Sequence, residues 1–160
     1  MDAIAARAGV SKATIYRWWP SKAAVVMDAF LANTSPRMPF PDTGATREDL
    51  RRQIKNVIRL FNQPRTGRPF VALIAECQHD PVLAQAFRER FIAARRAAAR
   101  KVLIRGLERG ELRSDLDVDI AIDALYGALY YRLLVSGDPL RQSYADQLLD
   151  QLYPAFTARG

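Results

Sequence analysis

Apolar residues recur at intervals of three and four along most of the chain, which is the period of amphipathic helices. One such stripe consists of Leu50, Ile54, Val57, Ile58 and Phe61. No sustained alternation of apolar and polar residues appears, and the pattern contains no β-hairpin signal. The sequence therefore predicts an all-α chain of about eight helices.

Capping and turn residues predict where the helices begin and end. The hydroxyl of Thr46 is expected to cap one helix, with Asp49 completing a capping box. Asp80 and Pro81 begin a long helix, and Gly110 ends it. The other helices of this part are predicted at 69–78, 117–136 and 140–156.

A proline-rich segment, residues 34–45, divides the chain into two predicted domains, 1–33 and 46–160. The helix over 117–136 is apolar on nearly every side, so it needs cover on two sides. One side faces its own domain, and a second copy of the chain would cover the other. A homodimer is therefore expected.

Composition narrows the function classes. The 160 residues carry a net charge of +7, which suits a polyanionic partner but does not identify one. No run of about 18 uncharged apolar residues exists, so no membrane span is expected. Cys77 and His79 are the only cysteine and histidine, which predicts no disulfide, no metal site and no cofactor ligand set. With no secretory signal, the expected compartment is the cytoplasm.

The first thirty residues carry the most informative motif. Ala5 supplies a small inner face to a short helix, and Gly9 permits the sharp turn that follows. Ser11 can cap a second helix, from which Ile15 and Trp19 face inward. This spacing is that of a helix-turn-helix unit. The outward positions of the second helix alternate bases with aromatic and short residues, as a groove-binding helix requires.

The stretch AIAARAGVSKATIYRWWPSKAAVVMDAF resembles the DNA-binding signature of the TetR family of transcriptional regulators. A later stretch, RGELRSDLDVDIAIDALYGALYYRLLVSG, is similar to the penultimate helix of TetR-type sensor domains. The resemblance implies a DNA-binding headpiece (the predicted domain 1–33), an effector pocket inside a helical body (the predicted domain 46–160) and a homodimer built on the last two helices. Members of the family carry a full helix before the unit that begins here at Met1, so the first domain is expected to be N-terminally incomplete.

The resemblance also implies which residues of the headpiece meet double-stranded operator DNA. The start of the recognition helix would meet base edges or nearby phosphates, Tyr16 and Lys22 would hold phosphates, and Arg17 and Trp18 would flank the groove. The implied set is Ser11, Lys12, Ala13, Thr14, Tyr16, Arg17, Trp18 and Lys22.

The effector pocket is less clearly marked, because aromatic residues between helices are also ordinary core residues. The candidate lining residues are Phe61, Phe70, Ile74, Cys77, Phe87, Phe91, Tyr126 and Tyr130. The arginines over 95–109 fit either a solvated helix face or a rim that attracts an anionic effector. Cys77 fits either a buried thiol or a redox sensor, and the second needs a lowered thiol pKa.

The sequence as a whole predicts a ligand-responsive transcriptional regulator, a repressor, that binds a palindromic operator as a homodimer and releases it on binding a small-molecule effector. The alternative is a helical small-molecule-binding dimer that has lost DNA binding through the loss of its first helix. An enzyme is not expected, since no acid–base pair, catalytic triad or glycine-rich phosphate loop is present.

Overall fold

A computed structural model describes residues 1–34, 38 and 40–157 of the chain, and these residues form eight helices and no strand. The prediction of an all-α chain is confirmed. The N-terminal helices are α1 (Asp2–Ala8), α2 (Lys12–Trp18) and α3 (Lys22–Thr34). The helices of the body begin with α4 (Thr46–Phe61) and α5 (Pro64–Cys77).

Two of the remaining helices contain a π-helical turn. Helix α6 consists of Pro81–Phe87, the π turn Arg88–Ile92 and Ala93–Glu108. Helix α7 consists of Val118–Tyr131 and the π turn Arg132–Ser136, and α8 is Ser143–Phe156. Such turns are rare and frequently lie at functional sites.

Local capping in the headpiece and at α6 follows the sequence prediction. Gly9 adopts the left-handed conformation with φ of 65° after α1. The backbone N–H of Thr14 donates to the hydroxyl of Ser11 at 3.1 Å, which caps α2. The N–H of Leu83 donates to Asp80 at 3.0 Å in the same way. Each of these hydrogen bonds joins residues three apart, so the local sequence is sufficient to specify it.

The predicted capping box at the start of α4 is wrong. Ala45 is the N-cap residue, and its side chain makes no capping bond. The N–H of Thr46 instead donates to the carboxylate of Glu111 at 2.7 Å, and Asp49 accepts from the N–H of Thr43 at 2.8 Å. The cap thus comes from a residue 65 positions away, which a local pattern cannot predict.

Helix α5 begins at Pro64, five positions earlier than predicted, since its first turn packs tightly against the end of α4. Gly67 permits this approach: a Cβ at that position would lie 1.9 Å from the carbonyl oxygen of Phe61. Helix α8 begins at Ser143, three positions later than predicted.

The core of the body contains an aromatic cluster to which the headpiece contributes. Helix α3 packs against α5 and α6. Phe30 of α3 lies 5.3 Å from the ring of Phe70 and 5.0 Å from that of Phe91. Phe61 stacks on the other face of the cluster, 4.7 Å from Phe70. Headpiece and body therefore share one hydrophobic core across the predicted boundary, whose segment 34–45 lies partly outside the described residues.

No helix in the described part of the chain is both long enough and apolar enough to cross a lipid bilayer.

Candidate functional site

Every residue that the sequence predicted to contact DNA is exposed on the surface of the headpiece. Ile15 of α2 is buried and holds the helix against the headpiece, so its remaining side chains face solvent. Trp18, at 71% exposure, is the most exposed aromatic side chain on this face. The exposed set is Ser11, Lys12, Ala13, Thr14, Tyr16, Arg17, Trp18 and Lys22.

The start of α2 is held in place by polar contacts. The hydroxyls of Ser11 and Thr14 are hydrogen-bonded to each other at 2.9 Å. The ammonium group of Lys12 pairs with the carboxylate of Asp2 on α1, which raises the pKa of Lys12 and lowers that of Asp2. The first residue of α2, Lys12, is therefore a cation already paired with a carboxylate of α1 in an exposed ion pair.

Asp28 connects the end of α2 to the body through a hydrogen bond and an ion pair. The sequence analysis did not identify this residue. The indole Nε1–H of Trp19 donates to Asp28 Oδ2 at 2.7 Å. On the other side, the guanidinium of Arg90 lies 2.6 Å from Asp28 Oδ1. The hydrogen bond from Trp19 and the charge of Arg90 lower the pKa of Asp28. Arg90 belongs to the π turn of α6, so this contact joins the two parts of the molecule.

Helices α4, α6 and α7, together with Met38, line a cavity of about 300 Å³ that is partly open to solvent. Four of the residues predicted to contact a ligand line it: Phe61, Phe91, Tyr126 and Tyr130. Phe91 and its neighbour Ile92 belong to the π turn that also carries Arg90. The same five-residue turn thus contributes both to the wall of the cavity and to the contact with Asp28.

The other predicted ligand residues lie elsewhere. Ile74, Cys77 and Phe87 line a separate, more polar cleft on the other side of Tyr130. Phe70 is fully buried inside the aromatic cluster and lines neither space. Burial raises the pKa of the Cys77 thiol, which is opposite to the shift that a redox-sensing cysteine needs.

The cavity has polar groups that the sequence analysis missed. The side chain of Gln53 is 1% exposed, and neither its oxygen nor its nitrogen has a hydrogen-bond partner among the described residues. The hydroxyl of Tyr126 is likewise buried, and in the described part of the chain it makes no hydrogen bond of ordinary geometry, although it lies close enough to Gln53 for that side chain to act on its pKa. The signal for Gln53 was its position: it is a polar residue three positions after Leu50, on the apolar stripe of α4.

Arg95 supplies a positive charge to the cavity wall. Its guanidinium donates to the carbonyl of Met38 at 2.6 Å and lies 5.7 Å from the ring centre of Phe40. Burial lowers the pKa of Arg95, and an arginine in such a position still remains protonated at neutral pH. Burial also raises the pKa of Tyr130 to about 12 and that of Tyr126 further, so both hydroxyls stay neutral.

Helix α7 presents an apolar face to solvent. Ile120, Tyr131, Leu134 and Val135 are exposed large apolar residues of this helix, and Ile120 and Val135 are 66% and 71% exposed. The solvent-facing positions of α8 are mostly polar and include Gln147, Asp150 and Gln151. An exposed apolar face of this kind is a candidate contact surface.

Comparison with known proteins agrees with this architecture. Residues 1–29 match the family model described as bacterial regulatory proteins, tetR family, and residues 40–152 match the tetracyclin repressor-like C-terminal domain. The chain is 45% identical over 149 residues to the HTH-type transcriptional regulator YdeS of Bacillus subtilis, covering 93% of the chain and 75% of YdeS. It is 33% identical over 158 residues to the HTH-type transcriptional regulator Rv1556 of Mycobacterium tuberculosis, covering 98% of the chain and 77% of Rv1556.

Among solved structures, the TetR family transcription regulator SCO0332 superposes with a TM-score of 0.85 at 36% identity, covering 98% of this chain and 86% of that one. A helix-turn-helix joined to an all-helical body defines a DNA-binding transcriptional regulator. The chain belongs to the TetR family.

Proposed function

We propose that this protein is a ligand-responsive repressor that binds a palindromic operator as a homodimer. The observation that carries the proposal is the π turn Arg88–Ile92, which contributes Phe91 and Ile92 to the cavity and Arg90 to the ion pair with the headpiece. A molecule in the cavity would press on the same turn that holds α3. This shared turn supports the proposal that ligand binding in the cavity changes the position of the DNA-binding surface.

In this proposal α2 enters the major groove of the operator. Ser11, Lys12, Ala13 and Thr14 stand at its exposed start, where a recognition helix meets base edges. Tyr16 offers an exposed hydroxyl to phosphate oxygens, and Lys22 adds a cation at the first turn of α3. Arg17 and Trp18 flank the groove.

The homodimer would bury the apolar face of α7. In this arrangement α8 would contribute the polar rim, because its exposed positions are mostly hydrophilic. A twofold axis there places two headpieces side by side, and a palindromic operator needs half-sites about 34 Å apart. Any ligand that changes the spacing of the headpieces weakens binding to both half-sites together.

The cavity of this proposed regulator would hold its ligand reversibly, without turnover or a bound cofactor. Both tyrosine hydroxyls of the cavity stay protonated at neutral pH, so they suit hydrogen bonding rather than proton abstraction. A repressor acts on chromosomal DNA, which for a bacterial relative such as YdeS lies in the cytoplasm, and we propose the same compartment here.

The test is a selection of bound duplexes from a random DNA pool at moderate salt, with the oligomeric state measured by light scattering. Recovery of an inverted repeat by a dimeric protein supports the operator-binding homodimer. A folded dimer that recovers no sequence and shows no change in Tm with DNA contradicts it and favours the alternative, a small-molecule-binding dimer that does not bind DNA.

A further inference from the structure

The lining of the cavity is mostly apolar, apart from the mutually paired Arg96 and Asp123, the hydroxyl of Tyr130 and three further polar side chains, Gln53, Arg95 and Tyr126. These last three together point to a ligand of a particular chemistry. We infer that the cavity binds a hydrophobic carboxylic acid that carries a hydrogen-bond donor beside its acid group. This inference rests on the proposed function in treating the cavity as the regulatory site, and it identifies the class of effector.

Arg95 supplies the charge that would bind the acid. Its neighbours on α6 are neutralised, since Arg96 pairs with Asp119 and Asp123, and Arg100 pairs with Asp119. No described carboxylate pairs with Arg95, whose one protein acceptor is the carbonyl of Met38. A half-buried guanidinium that retains free N–H donors at the wall of a cavity favours an anionic partner.

Gln53 and the Tyr126 hydroxyl indicate what lies next to the acid group. Gln53 has both an unpartnered donor and an unpartnered acceptor, so a ligand that offers only acceptors would leave its oxygen unsatisfied. Gln53, Arg95 and Tyr126 all line this one cavity, so a single ligand can reach the three groups. A carboxylate with an adjacent hydroxyl or N–H complements all three, and leaving them unsatisfied is costly.

The apolar residues of the lining favour a ligand with a flat apolar ring system. Val57, Phe61, Phe91 and Ile122 surround the space, and they offer ring faces and branched aliphatic groups. A cavity of about 300 Å³ is at the small end of ligand sites and suits a bicyclic aromatic ring better than a long chain. A 4-hydroxy-2-naphthoate molecule has this shape together with an acid and a nearby donor, and its hydroxyl lies too far from the carboxylate to form a hydrogen bond within the molecule.

The experiment compares three probes by isothermal titration calorimetry on the full chain: 4-hydroxy-2-naphthoate, 2-naphthoate and the uncharged 4-hydroxy-2-naphthamide. The native protein is expected to bind the hydroxy acid about tenfold or more tightly than the amide, as a charge-assisted hydrogen bond provides. Arg95→Met should remove this preference while leaving affinity for the amide within about twofold. Arg100→Met, one turn away and outside the cavity, is the matched control and should change none of the three affinities.

Gln53→Leu tests the second half of the inference. This variant keeps the size of the side chain and removes both orphaned atoms, so it should bind the hydroxy acid and the plain acid equally. Thermal melting checks that each variant is folded. The inference is overturned if the native protein binds the amide as tightly as the acids, or if no probe binds at millimolar concentration. It is also overturned if Arg95→Met weakens all three probes alike or Gln53→Leu keeps its preference for the hydroxyl.

The titrations contain no DNA, so they test the class of ligand independently of the proposed regulation of DNA binding. If the hydroxy acid binds as expected but leaves operator affinity unchanged, the ligand class stands and the ligand response fails. If operator DNA is bound but the probes are not, the repressor stands and the ligand class fails.

Discussion

Asp28 of α3 and Arg90 of α6 form an ion pair across the contact between headpiece and body, with 2.6 Å between Oδ1 and Nη2. Both side chains are partly exposed, so the pair contributes at most about 1 kcal/mol to the free energy of unfolding. Its position matters more than its strength. Asp28 also accepts the indole N–H of Trp19 at the end of α2, and Arg90 sits beside the cavity residue Phe91.

The first prediction concerns this link. A double-mutant cycle of Asp28→Asn and Arg90→Gln on operator affinity should give a coupling energy of about 0.2–1 kcal/mol, because each change removes the same ion pair. Arg88→Gln, an exposed arginine on the same π turn, is the control and should not couple to Asp28→Asn. Gel-shift titrations of the four proteins measure the cycle. If the effects of the two substitutions on operator affinity were strictly additive, the ion pair would have no influence on the DNA-binding surface.

The second prediction concerns pH. Because the pKa of Asp28 is lowered in the folded protein, its stabilising contribution is present above the ordinary carboxyl pKa of about 3.9 and is lost as pH falls through the lowered value. The difference in unfolding free energy between the native protein and Asp28→Asn should therefore be constant from about pH 8 to 5 and shrink below about pH 4. Urea titrations at several pH values measure it. If this difference in unfolding free energy grew as the pH fell, it would contradict the lowered pKa of Asp28.

The third prediction concerns phosphate contacts. Lys22→Ala should weaken binding to all DNA sequences and flatten the plot of log affinity against log salt by about one unit, since one counterion fewer is released. Tyr16→Phe should weaken binding without changing that slope, because no charge is removed. Lys101→Ala, an exposed lysine on α6, is the matched control. If Lys22→Ala behaves like Lys101→Ala, the phosphate role of Lys22 is wrong.

The fourth prediction concerns the dimer. Ile120→Lys and Val135→Lys place a charge on the exposed apolar face of α7, so each should shift the protein toward its monomer mass of 18.0 kDa. Val82→Lys changes an equally exposed apolar residue on α6, and this control should remain dimeric. Light scattering at micromolar concentration measures the mass. Dimers in all three variants would place the interface elsewhere.

Some features were predictable because neighbours in the chain decide them. The turn at Gly9, the cap by Ser11 and the start of α6 at Asp80 depend on backbone conformation and on hydrogen bonds across three residues. Periodicity likewise identified the helical class, and the motif in the first thirty residues identified the family. The exposed face of α2 followed from the inward positions of Ile15 and Trp19.

The cavity was only partly predictable. Phe61 and Phe70 look alike in the sequence, since both are aromatic residues on an apolar helix face. In the structure Phe61 lines the cavity, whereas Phe70 is enclosed by other rings. The difference depends on how three helices cross, and no local pattern encodes a crossing angle.

The sequence by itself determined the helices, the helix-turn-helix unit and the family, because these depend on residues within a few turns of one another. Tertiary structure alone decided which charges are neutralised: adjacent Arg95 and Arg96 differ because only Arg96 meets the carboxylates of α7. It also brought Asp28 and Arg90 together across 62 positions, and left Gln53 unpartnered beside Tyr126. Long-range packing sets these contacts, and the proposed response to a ligand depends on them.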